Sequence, residues 1–273
     1  MKIEGADCAH WTSGIDMYRC KKPFFEEVIP LKVPCEKKKT LEFAPGVYKF
    51  SFSYTLPKTL AFSFKKGTQI EFKRGVSYRV KGYLVSESGK KVAKNFHSFT
   101  VCGEYEWSLV DVPTIVFRSK MHNFKTTKGQ MNLSAYLNNG YFEVGDTMEI
   151  KVIFENRSSR ACSGMAISVV ETGVQRLRGK KLTMESEKKW TESLFTNQTT
   201  ECAAVKNSSF TKVWTYLVDG TWPTRHTPNN VIEIEHFVRV ILAVPMHGDI
   251  KVELPFTVFP RRQTKPLPRK QRR

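Results

Sequence analysis

Residues Thr147 to Glu155 alternate between apolar and polar almost without a break: Met148, Ile150, Val152 and Phe154 lie in one phase, and Thr147, Glu149, Lys151 and Glu155 in the other. A period of two scatters around a helix but collects on one face of a strand, so this segment can bury its apolar side only as part of a sheet. Gly140, Gly145 and Asp146 break the chain ahead of it and Asn156 to Ser159 ends it, which brackets the strand between turns.

The same period governs both halves of the chain. Tyr48, Phe50, Phe52, Tyr54 and Leu56 alternate with Lys49, Ser51, Ser53 and Thr55, which predicts an amphipathic strand after Pro45, and Tyr78, Val80 and Leu84 share one phase of the next. Further on, Ile232, Ile234, Val238 and Val240 alternate with Glu233, Glu235 and Arg239, and Ile250, Val252, Leu254, Phe256 and Val258 mark a closing strand. Pro255 inside that last run has no amide proton to give a ladder and belongs at an edge or a bulge. The charged stretch from Gln175 to Trp190 is ambiguous between a solvated strand pair and a short helix, and is read as a loop-flanked edge strand. Short alternating strands at this spacing predict an all-β chain built from immunoglobulin-like sandwiches.

A chain of 273 residues exceeds what one hydrophobic core normally holds, so two such sandwiches are expected in tandem. Pro113 follows an apolar burst at Ser108 to Val112, and a new alternation begins beyond it. The expected division is a first sandwich over 1–115, a second over 119–259 and a disordered basic tail over 260–273. No run of about 18 apolar residues is present to cross a bilayer as a helix, and the first residues hold no apolar stretch of the signal-peptide kind. The expectation is a cytoplasmic protein, soluble or peripheral to a membrane, whose six cysteines are reduced. In that compartment the Asn-x-Ser/Thr matches at Asn132, Asn156, Asn197 and Asn207 have no meaning as glycosylation sites.

No short motif for a metal, a nucleophile, a phosphate loop or a dinucleotide occurs, and the six histidines have no ligand spacing. Neither an enzyme nor a cofactor is expected. His236 falls on the apolar phase of its strand and reads as a hydrogen-bonded core histidine. The net charge of +18 favours anionic partners. Its densest clusters are Lys37, Lys38 and Lys39, the pair Lys65 and Lys66, and the tail residues Arg261, Arg262, Lys265, Arg269, Lys270, Arg272 and Arg273. These are the candidate contacts for acidic lipid or another anion, beside their plainer reading as solvated surface charge. No aromatic residue interleaves the tail's charges, which disfavours specific nucleic-acid binding.

Five motifs in order resemble the arrestin family, of the α-arrestin, arrestin-domain-containing type. The first is GADCAHWTS over 5–13, followed by PGVYKFSFSYTLPKTLAFSF from Pro45, GVSYRVKGYL from Gly75, HSFTVCG from His97, and GYFEVGD with ENRSSR from Gly140. The resemblance implies an arrestin fold and a non-enzymatic adaptor or scaffold that binds cytoplasmic segments of membrane cargo and links them to endocytic or endosomal sorting machinery. Sheet edges that capture extended peptides and basic loops that attract phosphate or lipid supply a physical rationale. The pattern departs from the family in three ways. Met1 lies where about three preceding strands are usual, so the first sandwich reads as N-terminally truncated. Ala61 and His236 stand where proline and tyrosine are usual, and no Pro-Pro-x-Tyr motif for WW-domain ubiquitin ligases is present. The alternative function is a non-trafficking signalling scaffold or regulator, nuclear if the basic tail is an import signal.

Overall fold

The computed structural model describes the chain outside residues 14–15, 32–45, 58–59, 67–71, 87, 102–114, 125–128, 179–184, 203–206, 226–231 and 262–273. The described residues form strands and no helix. The chain divides into two compact units, Met1–Glu104 with Leu177–Ser186, and Tyr105–Arg176 with Glu187–Arg273.

The first unit is built on one five-stranded sheet among the described residues. Strand β1 (Lys2–Ser13) lies between β2 (Asp16–Val28) and β4 (Phe72–Val85), while β3 (Phe64–Lys66) and β5 (Lys91–Phe99) pair successive stretches of β4 on its other side. Ile3, Ala6, Val76, Tyr78, Phe64 and Val101 are its buried apolar residues. Tyr78 packs between Phe24 and Phe99 and donates its hydroxyl to the Ala61 carbonyl at 2.5 Å. Its ring also lies against Gly5, where any Cβ would overlap it, so Gly5 is kept by close approach. Glu4 is buried too, and its carboxylate takes Lys21 and, at 2.6 Å, Lys81.

The amphipathic strand expected from Tyr48 to Leu56 does not form. Residues 47–57 belong to no strand, and Tyr48, Phe50 and Phe52 are exposed. Alternation offers a face to bury, but a strand also needs a partner for its backbone groups, and no described strand pairs with this segment.

The second unit is a two-layer sandwich. One layer runs β11 (Glu185–Thr199), β10 (Gly164–Arg178), β13 (Ile232–Ala243), β14 (Ile250–Phe259), β8 (Tyr141–Glu143), and the other runs β12 (Ser208–Leu217), β9 (Thr147–Ser158), β7 (Gly129–Leu137), β6 (Val116–Asn123). Met148, Ile150, Val152 and Phe154 of β9 meet Val238, Val240 and Leu242 of β13 and Ile250, Val252, Leu254 and Phe256 of β14 in a single buried cluster. Here the strict alternation is the core. The stretch Gln175 to Trp190 is not one strand: it is divided between the end of β10 and the start of β11, with 179–184 outside the described residues, and β11 ends its sheet among the described residues.

The turns obey local chemistry. Gly145 has φ +103° and Asp146 caps the turn, its carboxylate accepting the Glu143 amide at 2.8 Å. Asn156 is fully buried; its Oδ1 accepts from the Ser158 amide and hydroxyl, and its Nδ2 donates to the Arg160 carbonyl at 2.7 Å. That side chain holds the turn and is not an acceptor for sugar. Pro255 faces Phe237 on β13. It shares its phase with Thr257, whose amide points to the β8 side and donates to Gly140 at 2.9 Å, so the missing proton of Pro255 faces a stretch of β14 that β8 does not cover.

Candidate partner-binding surface

At the far end of the second unit, β13 and β14 separate beyond the pair His236 and Phe256, and residues 221–225 fill the fork. The Thr224 amide donates to the Val258 carbonyl at 2.8 Å, and Arg225 exchanges both backbone bonds with Ile234 at 2.9 Å. His236 sits at the split, 2% exposed, with Nδ1 on Thr224 Oγ1 at 2.9 Å and Nε2 on Thr221 Oγ1 at 2.8 Å. The Val258 amide donates to Thr224 Oγ1, and the Thr221 hydroxyl donates to Glu171 Oε2 at 3.4 Å. A proton on Nε2 of the imidazole completes this chain with each hydroxyl donating once. Glu171, fully buried on β10, also accepts from the Trp190 indole at 3.4 Å.

The trio of threonine, histidine and glutamate invites comparison with a catalytic triad, and its geometry excludes one. Thr221 and the Glu171 carboxylate, 3.6 Å away, are both on the Nε2 side of the ring, whereas Nδ1 is bonded to Thr224. A triad needs carboxylate and nucleophile on opposite nitrogens, next to a solvent-reachable reacting carbon. The arrangement is a satisfied polar plug that lets two paired strands diverge. His236 was legible as a core histidine; Glu171 was not singled out, although it continues the phase of Met165, Ile167 and Val169.

The exposed apolar surface of this unit lies elsewhere, on the outer face of β12-β9-β7-β6. Residues of β6 in one phase, Phe117 and Met121, are 44% and 57% exposed, and Ile115 just ahead of the strand is 68% exposed. Phe117 lies across from Tyr136 of β7, with ring centroids 4.6 Å apart. Between them in the row, Ser134 donates to Ser119 and Ser119 to Asn132 at 2.9 and 2.8 Å. At the opposite margin, Val213 and Leu217 of β12 are exposed in the same way. Strands β6 and β12 end their sheet among the described residues, and the last strand of a sheet turns a row of backbone groups away from its neighbour. At the Asn123 end of β6, Phe124 gathers His122, His247 and the Arg160 guanidinium at 4.7, 5.2 and 5.3 Å. Burial, then the charges of Arg160 and His122, hold His247 below its ordinary pKa.

Three of the basic candidates, Lys65, Lys66 and Arg261, fall among the described residues. Lys65 and Lys66 belong to β3 and pair with Gly75 and Arg74. Arg261 is exposed, with its guanidinium beside Gly145. Lys37, Lys38, Lys39, Arg262, Lys265, Arg269, Lys270, Arg272 and Arg273 lie outside the described residues. The apolar β6 and β12 margins went unread because a sequence does not say which strand ends a sheet.

Among the described residues no helix is long and apolar enough to cross a membrane, and no group of three or more metal-ligating side chains converges. No curated protein matches the chain. The family model of the arrestin (or S-antigen) C-terminal domain matches residues 127–263, the sandwich that carries the polar fork and three of the four strands of the exposed face. That match spans half of the chain, in agreement with the all-β fold that its alternation predicts, and the chain belongs to the arrestin family.

Proposed function

We propose that this arrestin-family chain is an adaptor of the arrestin-domain-containing type, which binds cytoplasmic segments of membrane proteins and passes them to endocytic or endosomal sorting machinery. Arrestin-family proteins are non-enzymatic adaptors and scaffolds, and Glu171, Thr221 and His236 of the polar fork are buried. The observation that carries the reading is the margin of β6, where Ile115, Phe117 and Met121 stand exposed beside an edge with no described partner strand. An extended peptide added there gains main-chain hydrogen bonds along the edge and apolar contacts from alternate side chains. Contact with acidic lipid through the basic clusters, the tail above all, would hold the chain near its cargo.

The seven basic residues of 260–273 favour a second reading, a nuclear scaffold addressed by that tail. Proximity labelling in cells, with the full chain and with the chain lacking 260–273, separates the two. Neighbours drawn from membrane cargo and vesicle coats support the adaptor. A neighbour set confined to the nucleus, lost with the tail, establishes the second reading instead.

A further inference from the structure

Strands β10 and β11 are neighbours in their sheet, and the open end of this hairpin lies at Gly164 and Thr199, where a Cβ on Gly164 would stand 3.2 Å from the Thr199 carbonyl oxygen. Cys162 precedes that end and Cys202 follows it, so the chain leaves the hairpin on both sides through a cysteine. Both are free thiols with almost no exposure, 3% and 0%. The Cys162 thiol donates to the Cys202 carbonyl oxygen at 2.8 Å. The Cys162 sulfur thus lies within hydrogen-bond reach of the Cys202 backbone, at a buried spot where the hairpin brings the two residues together.

We propose that Cys162 and Cys202 are a reversible disulfide site that covalently closes the open end of the β10–β11 hairpin. The two thiols are not equivalent. Contact with the Cys162 side chain lowers the pKa of Cys202 against the opposing effect of burial, and contact with Cys202, then burial, raise that of Cys162. The Cys162 proton is engaged by the Cys202 carbonyl, so Cys202 is taken as the attacking thiolate. With glutathione disulfide as oxidant, the Cys202 thiolate attacks one glutathione sulfur, forming a mixed disulfide and expelling a glutathione thiolate. Cys162, giving up its proton, then attacks the Cys202 sulfur, forms the Cys162–Cys202 bond and expels the second glutathione. The protein loses two electrons and two protons, and one glutathione disulfide becomes two glutathione thiols. Because both sulfurs are buried, exchange waits on local opening of the turn at Thr200 to Cys202.

The bond would close a loop between residues 40 apart in sequence and tether β11, which ends its sheet among the described residues. Tethering reduces fraying of that edge.

The test uses the full chain, undenatured, treated with glutathione disulfide, alkylated and mapped without reduction by mass spectrometry. The expected result is a linked peptide pair carrying Cys162 and Cys202 as the dominant cross-link, reversed by dithiothreitol, with slower hydrogen exchange at β11 after oxidation. Cys162→Ser is expected to stop at a glutathione adduct on Cys202, and Cys202→Ser to leave Cys162 unmodified. Stable glutathione adducts on both cysteines of the unaltered chain, or a dominant link from either to another cysteine, would overturn the proposal. So would failure of both sulfurs to react under conditions that open the turn. The map of the unaltered chain decides the matter even where a variant fails to fold.

Discussion

The two units carry the same apolar alternation and use it differently. In the second unit β9 and β14 alternate exposed and buried along nearly their whole lengths, and their inward residues form one cluster with those of β7, β10 and β13. In the first unit β5 is exposed at almost every position, and Phe24, Leu84, Val85, Val92 and Phe96 remain exposed with Tyr48, Phe50 and Phe52. A period of two states which face could be buried. Whether it is buried depends on a second layer, which the described residues supply for one unit and not for the other.

The widest gap should appear in hydrogen exchange. Amides of β9, β13 and β14 are expected to exchange at least about a hundredfold more slowly than those of β5, because edge and weakly covered strands open locally. Equal protection in the two units would break the comparison. Truncation should show the same contrast: Phe154→Ala removes a fully buried ring and is expected to cost about 3–5 kcal/mol in denaturant unfolding. Leu84→Ala, at an exposed site, should cost about 0.5 kcal/mol or less.

Much of this architecture was legible in the residues. Strand periodicity placed β9, β13 and β14, and the Gly145-Asp146 and Asn156 turns have the side-chain bonds that their residue types promise. Pro255 turns its missing amide proton away from β13, to the side that β8 does not cover there. Other features depend on contacts distant in sequence, which no local pattern encodes. The Tyr48 alternation pairs with no strand among the described residues. Glu171 is buried because Thr221, Trp190 and His236 reach it from three other segments. The partner surface depends on strand order, which put β6 and β12 at the margins.

Gly173 sharpens the comparison within the sandwich. The Trp190 indole lies where its Cβ would be, so Gly173→Ala should force the ring off Glu171 and cost about 1–3 kcal/mol through overpacking. An unchanged thermal midpoint would show that Trp190 relocates freely.

The smallest effect concerns charge in the first unit. Burial would raise the Glu4 pKa, but the ion pairs with Lys21 and Lys81 outweigh it and hold the carboxyl below its ordinary range. A depressed folded pKa contributes stability above the ordinary glutamate value of about 4.3 and loses it as the pH falls through the lower folded value. Glu4→Gln should therefore weaken the first unit by about 1–2 kcal/mol at neutral pH, with the difference from the unaltered chain shrinking below about pH 4. A pH-independent difference would mean that the lysines contribute packing and not charge.

The central claim, that the exposed margin of the well-packed sandwich receives partners, is tested most directly by capture on a panel of immobilised cytoplasmic segments of membrane proteins. The unaltered chain and a Phe117→Asp, Met121→Asp variant are compared at equal concentration, with thermal melting as the control for folding. The account predicts that the unaltered chain selects a subset of the segments and that the variant, melting at the same temperature, loses at least about tenfold in affinity, the effect of removing about 1.4 kcal/mol of contact. Undiminished capture by the folded variant would contradict it.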